Sequence, residues 1–143
     1  MDTMRIIEYG SCDYQEMVRL RDRILRQPLG LTFSPAYLRQ EINDVLIGCF
    51  DNDRILGCCI LTPLNDVTVQ LRQMAVDNGL QGKGTGSRIL AFAEAQARSN
   101  GFAELMMHAR KEAAPFYTRN GYDVRGDEFE EVGIAHYEMF KRL

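Results

Sequence analysis

Apolar positions along the chain change period several times, and each change marks an element. Met4–Tyr9 is a short apolar-rich run that predicts an opening strand. From Ser11 to Gly30 the spacing becomes helical: Met17, Leu20 and Ile24 share a face, Asp13 and Glu16 form a capping-box-like start, and Pro28 ends the helix. Ser34 followed by Pro35 predicts the N-cap and first position of a second, short helix. Two apolar runs, 44–50 and 55–63, flank the polar turn Asp51–Arg54 and predict a hairpin. A turn at Leu64–Asp66 leads into the run 67–76, where Val67, Val69 and Leu71 alternate and the phase then blurs around Gln73 and Met74. Loss of period two in mid-strand predicts a bulge there. After a glycine cluster, Ile89, Phe92, Ala93 and Ala97 return to helical spacing, and Asn100-Gly101 supplies a left-handed stop. A strand at 103–109, a short helix closed by Asn120-Gly121, and strands at 122–126 and 134–143 complete the order. This is mixed α/β in one domain spanning 1–143, without internal repeat or linker.

Composition narrows the function classes. The 143 residues carry a formal net charge of −3, so no global basic field draws the protein to nucleic acid or to a membrane surface. No apolar run approaches the roughly 18 residues of a membrane-spanning helix, and the first ten residues are too polar for a secretory signal. The cytoplasm is the expected compartment. Cys12, Cys49, Cys58 and Cys59 contain no C-x-x-C pair, and Cys58 and Cys59 should face opposite sides of one strand. Buried reduced thiols, with no metal, are expected.

The stretch LQGKGTGSRIL (80–90) carries the chemistry. Glycines leave successive amides uncovered, and the helix that follows adds its own unpaired N–H groups and dipole, an arrangement suited to a diphosphate. A dinucleotide fingerprint does not fit, because Gly82, Gly84 and Gly86 are spaced G-x-G-x-G with Ser87 in the third glycine's place. A nucleotide P-loop fails as well, since Thr85 stands where lysine is required.

What does match is Gln/Arg-x-x-Gly-x-Gly/Ala, filled by Gln81, Gly84 and Gly86 after Met74-Ala75-Val76. This resembles the acetyl-CoA pyrophosphate loop of the GNAT superfamily of N-acetyltransferases. Residues 113–122 resemble that family's A-x-x-F-Y-x-x-x-G-F/Y segment, with Tyr117 and Gly121 in place. Residues 131–139 resemble the E-x-G-I-x-H-x-x-M ending of small ElaA-like bacterial members. The resemblance implies the GNAT acyltransferase fold, a mixed and mostly antiparallel sheet of about seven strands flanked by about four helices. It implies acetyl-CoA as cosubstrate, held by Gln81, Gly82, Lys83, Gly84, Thr85 and Gly86, with Phe116 beside it and the pantetheine arm paired to backbone at Met74 and Val76. A backbone N–H near Ala75 is expected to polarise the thioester carbonyl. One departure is visible: many members carry Asn seven residues before the tyrosine, and Arg110 stands there.

Tyr117 is the candidate acid, because a phenol of reference pKa about 10 is protonated at neutral pH and can donate to a forming thiolate. His136, at the start of the last strand, is the candidate base, with His108 and Gln73 placed to position a water. Among Arg19, Arg23 and Arg26, either a solvated face or an anion-recognising rim, Arg26 lies nearest the Pro28 turn. Glu130 and Glu131 either attract a cationic amine or lie in a solvated turn. Arg26, Gln73, His108 and Arg110 are thus the acceptor-side candidates. The resulting expectation is direct acetyl transfer to the primary amine of a small molecule, and homodimers occur among the family's members. The rivals are another acyl-CoA, a non-amine acceptor, or a non-catalytic acyl-CoA sensor on the same scaffold.

Overall fold

A seven-stranded sheet forms the centre of the computed structural model, which describes residues 2–143. In chain order the elements are β1 (Asp2–Ile7), α1 (Cys12–Arg21), α2 (Pro35–Arg39), β2 (Val45–Asp51), β3 (Arg54–Pro63), β4 (Thr68–Val76), α3 (Thr85–Ser99), β5 (Glu104–Arg110), α4 (Ala114–Arg119), β6 (Asp123–Glu131) and β7 (Ile134–Arg142). The strand order is β1-β2-β3-β4-β5-β7-β6, and every neighbouring pair is antiparallel except β4 with β5. The seven strands, the mixed and mostly antiparallel pairing and the four helices agree with the fold expected above. No helix among the described residues is long and apolar enough to cross a membrane.

β2 and β3 read as unbroken apolar runs because they are covered on both faces. On one side Ile47, Cys59 and Leu61 pack under Ile89, Ala93 and Ala97 of α3. On the other, Leu46, Cys58 and Ile60 pack with Tyr14, Met17 and Leu20 of α1. Cys58 and Cys59 therefore face opposite layers, and burial pushes the Cys58 thiol up to about 12. Cys12 departs from the expected burial: it opens α1 at the exposed surface.

Three boundaries differ from the sequence pattern. The cap of α1 is Ser11, whose hydroxyl accepts from the Tyr14 amide (3.2 Å), so Asp13 lies inside the first turn. The single helix expected to Gly30 changes hand-hold after Arg21, passing through a π-helical turn at Asp22–Arg26 and a 3-10 turn at Gln27–Leu29. β6 runs to Glu131, well past the expected stop at 126, so Glu130 and Glu131 belong to a strand. Ser34 caps α2 at the expected place.

A buried ion pair fixes α1 to the segment before β2. Arg21 donates to both Glu41 carboxylate oxygens (2.8 and 2.6 Å), and the Tyr14 hydroxyl donates to the same carboxylate (2.8 Å). Both charged side chains are almost fully buried, and the Arg21 guanidinium lies 4.6 Å from the Phe33 ring centroid. Burial is the largest single influence and opposes the charge on Arg21, but the hydrogen bonds and the charge attraction of Glu41 together outweigh it and push the pKa up.

Breaking a buried pair strands one charge without a partner, whereas replacing both ends by apolar groups does not. Glu41→Ala should therefore cost about 3–5 kcal/mol in denaturant unfolding. Arg21→Met combined with Glu41→Leu should recover most of that loss. A single-variant cost below about 1 kcal/mol, the size of a surface pair, would contradict this reading.

Candidate active site

The site begins with an irregularity in β4. Its ladder with β3 runs regularly to Ile60↔Arg72 and resumes at Cys58↔Ala75, so Gln73 and Met74 together oppose Cys59. This is the bulge that the blurred alternation predicted, and Gln73 takes the left-handed conformation there (φ 56°). Parallel pairing between β4 and β5 stops at Leu71↔Met107, while β5 continues along β7 to Arg110↔His136. β4 and β5 therefore part, and the last residues of β4 present an unpaired edge.

Which residues face that edge follows from alternation. The Asp77 amide donates to the Leu56 carbonyl on β3 (2.9 Å), and the Ala75 carbonyl lies 3.0 Å from where a Cβ on Gly57 of β3 would sit. The Ala75 side chain is likewise buried in the α1-side layer. The Ala75 backbone therefore points to β3, and the amides near it that face the opening are those of Met74 and Val76. Met74 and Val76 alternate with it, and the Val76 carbonyl accepts from Gln81 Nε2 (3.2 Å).

At the end of β4 the glycine loop turns into α3. Gly82 and Gly84 are left-handed (φ 82° and 83°); a Cβ at Gly82 would meet nothing and one at Gly84 only the end of the Arg88 side chain at 3.8 Å, and Gly84 caps α3 without any side-chain hydrogen bond. The Lys83 amide donates to the Leu80 carbonyl (3.3 Å), while the first turn of a 15-residue helix has no side-chain cap, an end that suits a diphosphate. Gly86 has a different role: a Cβ there would meet Phe116 at 3.2 Å, so the missing side chain lets that ring pack against α3. Gln81, Gly82, Lys83 and Gly84 are exposed, whereas Thr85 is buried.

A cavity of about 470 Å³ opens between the parted strands, the turns after α1, and the β6–β7 hairpin. Arg26, Gln73, Met74, Gln81, His108, Arg110, Tyr117 and His136 all line it. Arg19 and Arg23 do not: Arg19 pairs with Glu16, and Arg23 with Asp77 (3.4 Å). Glu131 joins the lining through the extra length of β6, and Glu130 does not.

Tyr117 is buried and packs edge-on against Phe116 and Tyr122, with centroids 5.0 and 6.0 Å apart. Burial, with a smaller contribution from Cys59, pushes its phenol well above the ordinary range, so it stays protonated at neutral pH. His136 is buried, stacks on Phe129 and holds its Nδ1 2.8 Å from the Ile134 carbonyl. A carbonyl only accepts, so Nδ1 carries the proton and Nε2 of the neutral ring keeps its lone pair. His108 has the same logic with a different partner: Nδ1 lies 3.0 Å from Glu131 Oε2, and the ring meets Phe129 edge-on.

Tyr37 and Arg72 are among the lining residues that the sequence did not single out. Tyr37 of α2 accepts hydrogen bonds at its hydroxyl from Arg72 Nη2 and from Gln73 Nε2, the latter at 3.0 Å. Its sequence context, an exposed-looking turn of short helix, carries no signal of that contact. Arg72 adjoins the bulge, which is the one local feature that singles it out. Among the described residues no group of three or more His, Cys, Asp or Glu side chains converges as a metal site would.

Residues 23–143 match the family model described as the acetyltransferase (GNAT) domain. The Xenopus tropicalis protein named Probable N-acetyltransferase 14 is 31% identical over 102 residues, which cover 68% of this chain and 49% of that protein. The chain spans about half the length of the curated relatives it matches. The crystal structure of Escherichia coli ElaA superposes with a TM-score of 0.80 at 15% identity, covering 99% of each chain. A GNAT family acetyltransferase from Elizabethkingia anophelis, solved with acetyl-CoA bound, gives a TM-score of 0.74 at 19% identity, covering 99% of this chain and 98% of that one. At these identities the two structures show the shared fold.

Proposed function

Because the chain belongs to the GNAT acetyltransferase family, we propose that it transfers an acetyl group from acetyl-CoA directly to the primary amine of a small-molecule acceptor. One observation carries the reading. The parting of β4 from β5 leaves an open backbone edge, followed by an uncapped glycine loop, beside a cavity that a phenol and two imidazoles also line.

When bound, acetyl-CoA supplies an activated acetyl thioester. The loop amides from Gln81 to Gly86, apart from that of Lys83, are the groups suited to its diphosphate, and the open edge at Met74 and Val76 suits an extended amide-bearing arm. Of the β4 amides, those two take the carbonyl-polarising role first expected near Ala75. Tyr117 is a buried ring that lines the cavity, and its hydroxyl has no hydrogen-bond partner among the described residues, which keeps its proton for a departing thiolate. His136 Nε2 is the lone pair positioned to take the proton of an acceptor ammonium, its ring fixed by Ile134 and Phe129. His108, oriented by Glu131, is the second base in reach of the same cavity. A cavity of this size admits a small acceptor and excludes water once filled.

Acetyl-CoA should raise the melting temperature, as any ligand of the folded state does. Gly84→Asp should abolish that rise, because it adds a carboxylate to the cradle at a left-handed position. Full retention of the shift in the variant would remove the loop from the account. Tyr117→Phe keeps the ring and should lower turnover by about 10- to 10⁴-fold, with the acetyl-CoA shift retained. Unchanged turnover would leave Tyr117 a packing residue.

The base is assigned by pH profiles of kcat/KM. His136→Gln should flatten the acidic limb while the protein melts close to wild type, since glutamine can hydrogen-bond but cannot take the proton. If His108→Gln flattens the limb and His136→Gln leaves it intact, the His108–Glu131 pair is the base.

A further inference from the structure

The acceptor end of the cavity is organised around Tyr37. Its hydroxyl oxygen accepts from both Arg72 and Gln73, which uses its lone pairs and leaves the phenol proton for a third group. Arg72 also donates to Thr62 (3.5 Å) and lies near the buried Asp44 carboxyl, so its charge is partly answered.

Arg26 and Arg110 are different. The Arg26 guanidinium lies over two rings, 4.5 Å from the Phe33 centroid and 5.3 Å from that of Tyr37. Stacking engages the face of a guanidinium and leaves its N–H edge available. Arg110 reaches from β5 to donate to the Leu25 carbonyl (3.1 Å), which holds it against the residue before Arg26. Neither forms an ion pair with a carboxylate among the described residues. Within the lining, three arginines stand against two carboxylates, Glu112 and Glu131, and Glu131 is occupied by His108. Arg110 also sits directly across the β5–β7 ladder from His136, so the cationic and basic ends of the cavity adjoin.

We propose that the acceptor is a small amino acid: an amine that also carries a carboxylate, bound by Arg26, Arg110 and the Tyr37 hydroxyl, with its amino group toward His136. This rests on the acetyltransferase reading for the amine and on the arginines for the acid. A polycationic acceptor meets the wrong charge at this wall, and an uncharged one leaves two guanidinium edges unanswered. Paired carboxylate recognition by guanidinium is the geometry that fills them.

Initial rates with acetyl-CoA test this across the common α-amino acids and β-alanine, each against its own carboxamide, with putrescine as the cationic control. At least one acid should exceed its carboxamide in kcat/KM by about 10- to 100-fold, the worth of one or two charge-assisted hydrogen bonds. Arg26→Gln should bring that ratio to within about threefold of unity, and Tyr37→Phe, which keeps the ring under Arg26, should lower it in part. Calorimetry with glutarate, a dicarboxylate without an amine, gives a readout independent of turnover: binding to wild type should weaken about tenfold or more in Arg26→Gln. Acetylation of carboxamides or putrescine as readily as of acids would overturn the amino-acid proposal and leave the acetyltransferase reading standing. Glutarate binding that depends on Arg26, with no amine acetylated, would do the reverse. Glutarate binding indifferent to Arg26 would remove the anion site.

Discussion

One extra residue in β4 decides where the rest of the active region can lie. Had β4 stayed in register with β3 and β5, the edge of Met74 and Val76 would be consumed in the ladder and no cavity would open beneath it. Instead Gln73 and Met74 share a single partner, Cys59, and pairing to β5 ends two residues earlier, at Leu71. A left-handed non-glycine residue costs on the order of 1 kcal/mol. Gln73 offsets part of that through its side chain, which is held by the Tyr37 hydroxyl. The same residue thus opens the edge of β4 and braces the Tyr37 wall of the cleft.

The surrounding layers hold this opening in shape. α3 and α4 cover one face, and the contact of Phe116 with Gly86 ties the tyrosine-bearing helix to the start of α3. On the other face the Arg21–Glu41 pair anchors α1 to the segment that carries α2, and α2 carries Tyr37. The π-helical turn after α1 then delivers Arg26 to the cavity, while Arg23 is drawn to Asp77 outside it. Tyr37 is therefore placed by a segment tied down at Glu41, and Arg26 by a turn continuous with α1. Such anchoring keeps a site in geometry without the substrate's help.

Local chemistry was legible in the sequence wherever it was also locally determined. Gly82, Gly84 and Gly101 declare left-handed backbone, Ser34-Pro35 declares a helix start, and the lost alternation at Gln73 and Met74 declares the bulge. Which amides near Ala75 face out was not legible, because the inserted residue sets their phase and phase cannot be read across a bulge. β6 was cut short because nearly all of it is exposed, so it shows no alternation to follow. The hub at Tyr37 and the Arg21–Glu41 pair join residues 35 and 20 positions apart, and nothing near either partner announces the other. Arg26, Gln73, His108, Arg110, Tyr117 and His136 were each named from sequence, and the fold brings all six to one cavity. Their roles there are proposals that rest on chemistry.

Amide hydrogen exchange, resolved by residue and measured with and without acetyl-CoA, tests the central claim that the parted edge of β4 receives the cofactor. Ala75, already committed to β3, should be slow in both states, whereas Met74, Val76 and the amides opening α3 should slow by about tenfold or more on binding. Protection that appears elsewhere while Met74 and Val76 continue to exchange freely would contradict the account, because the bulge would then open an edge that the cofactor does not use.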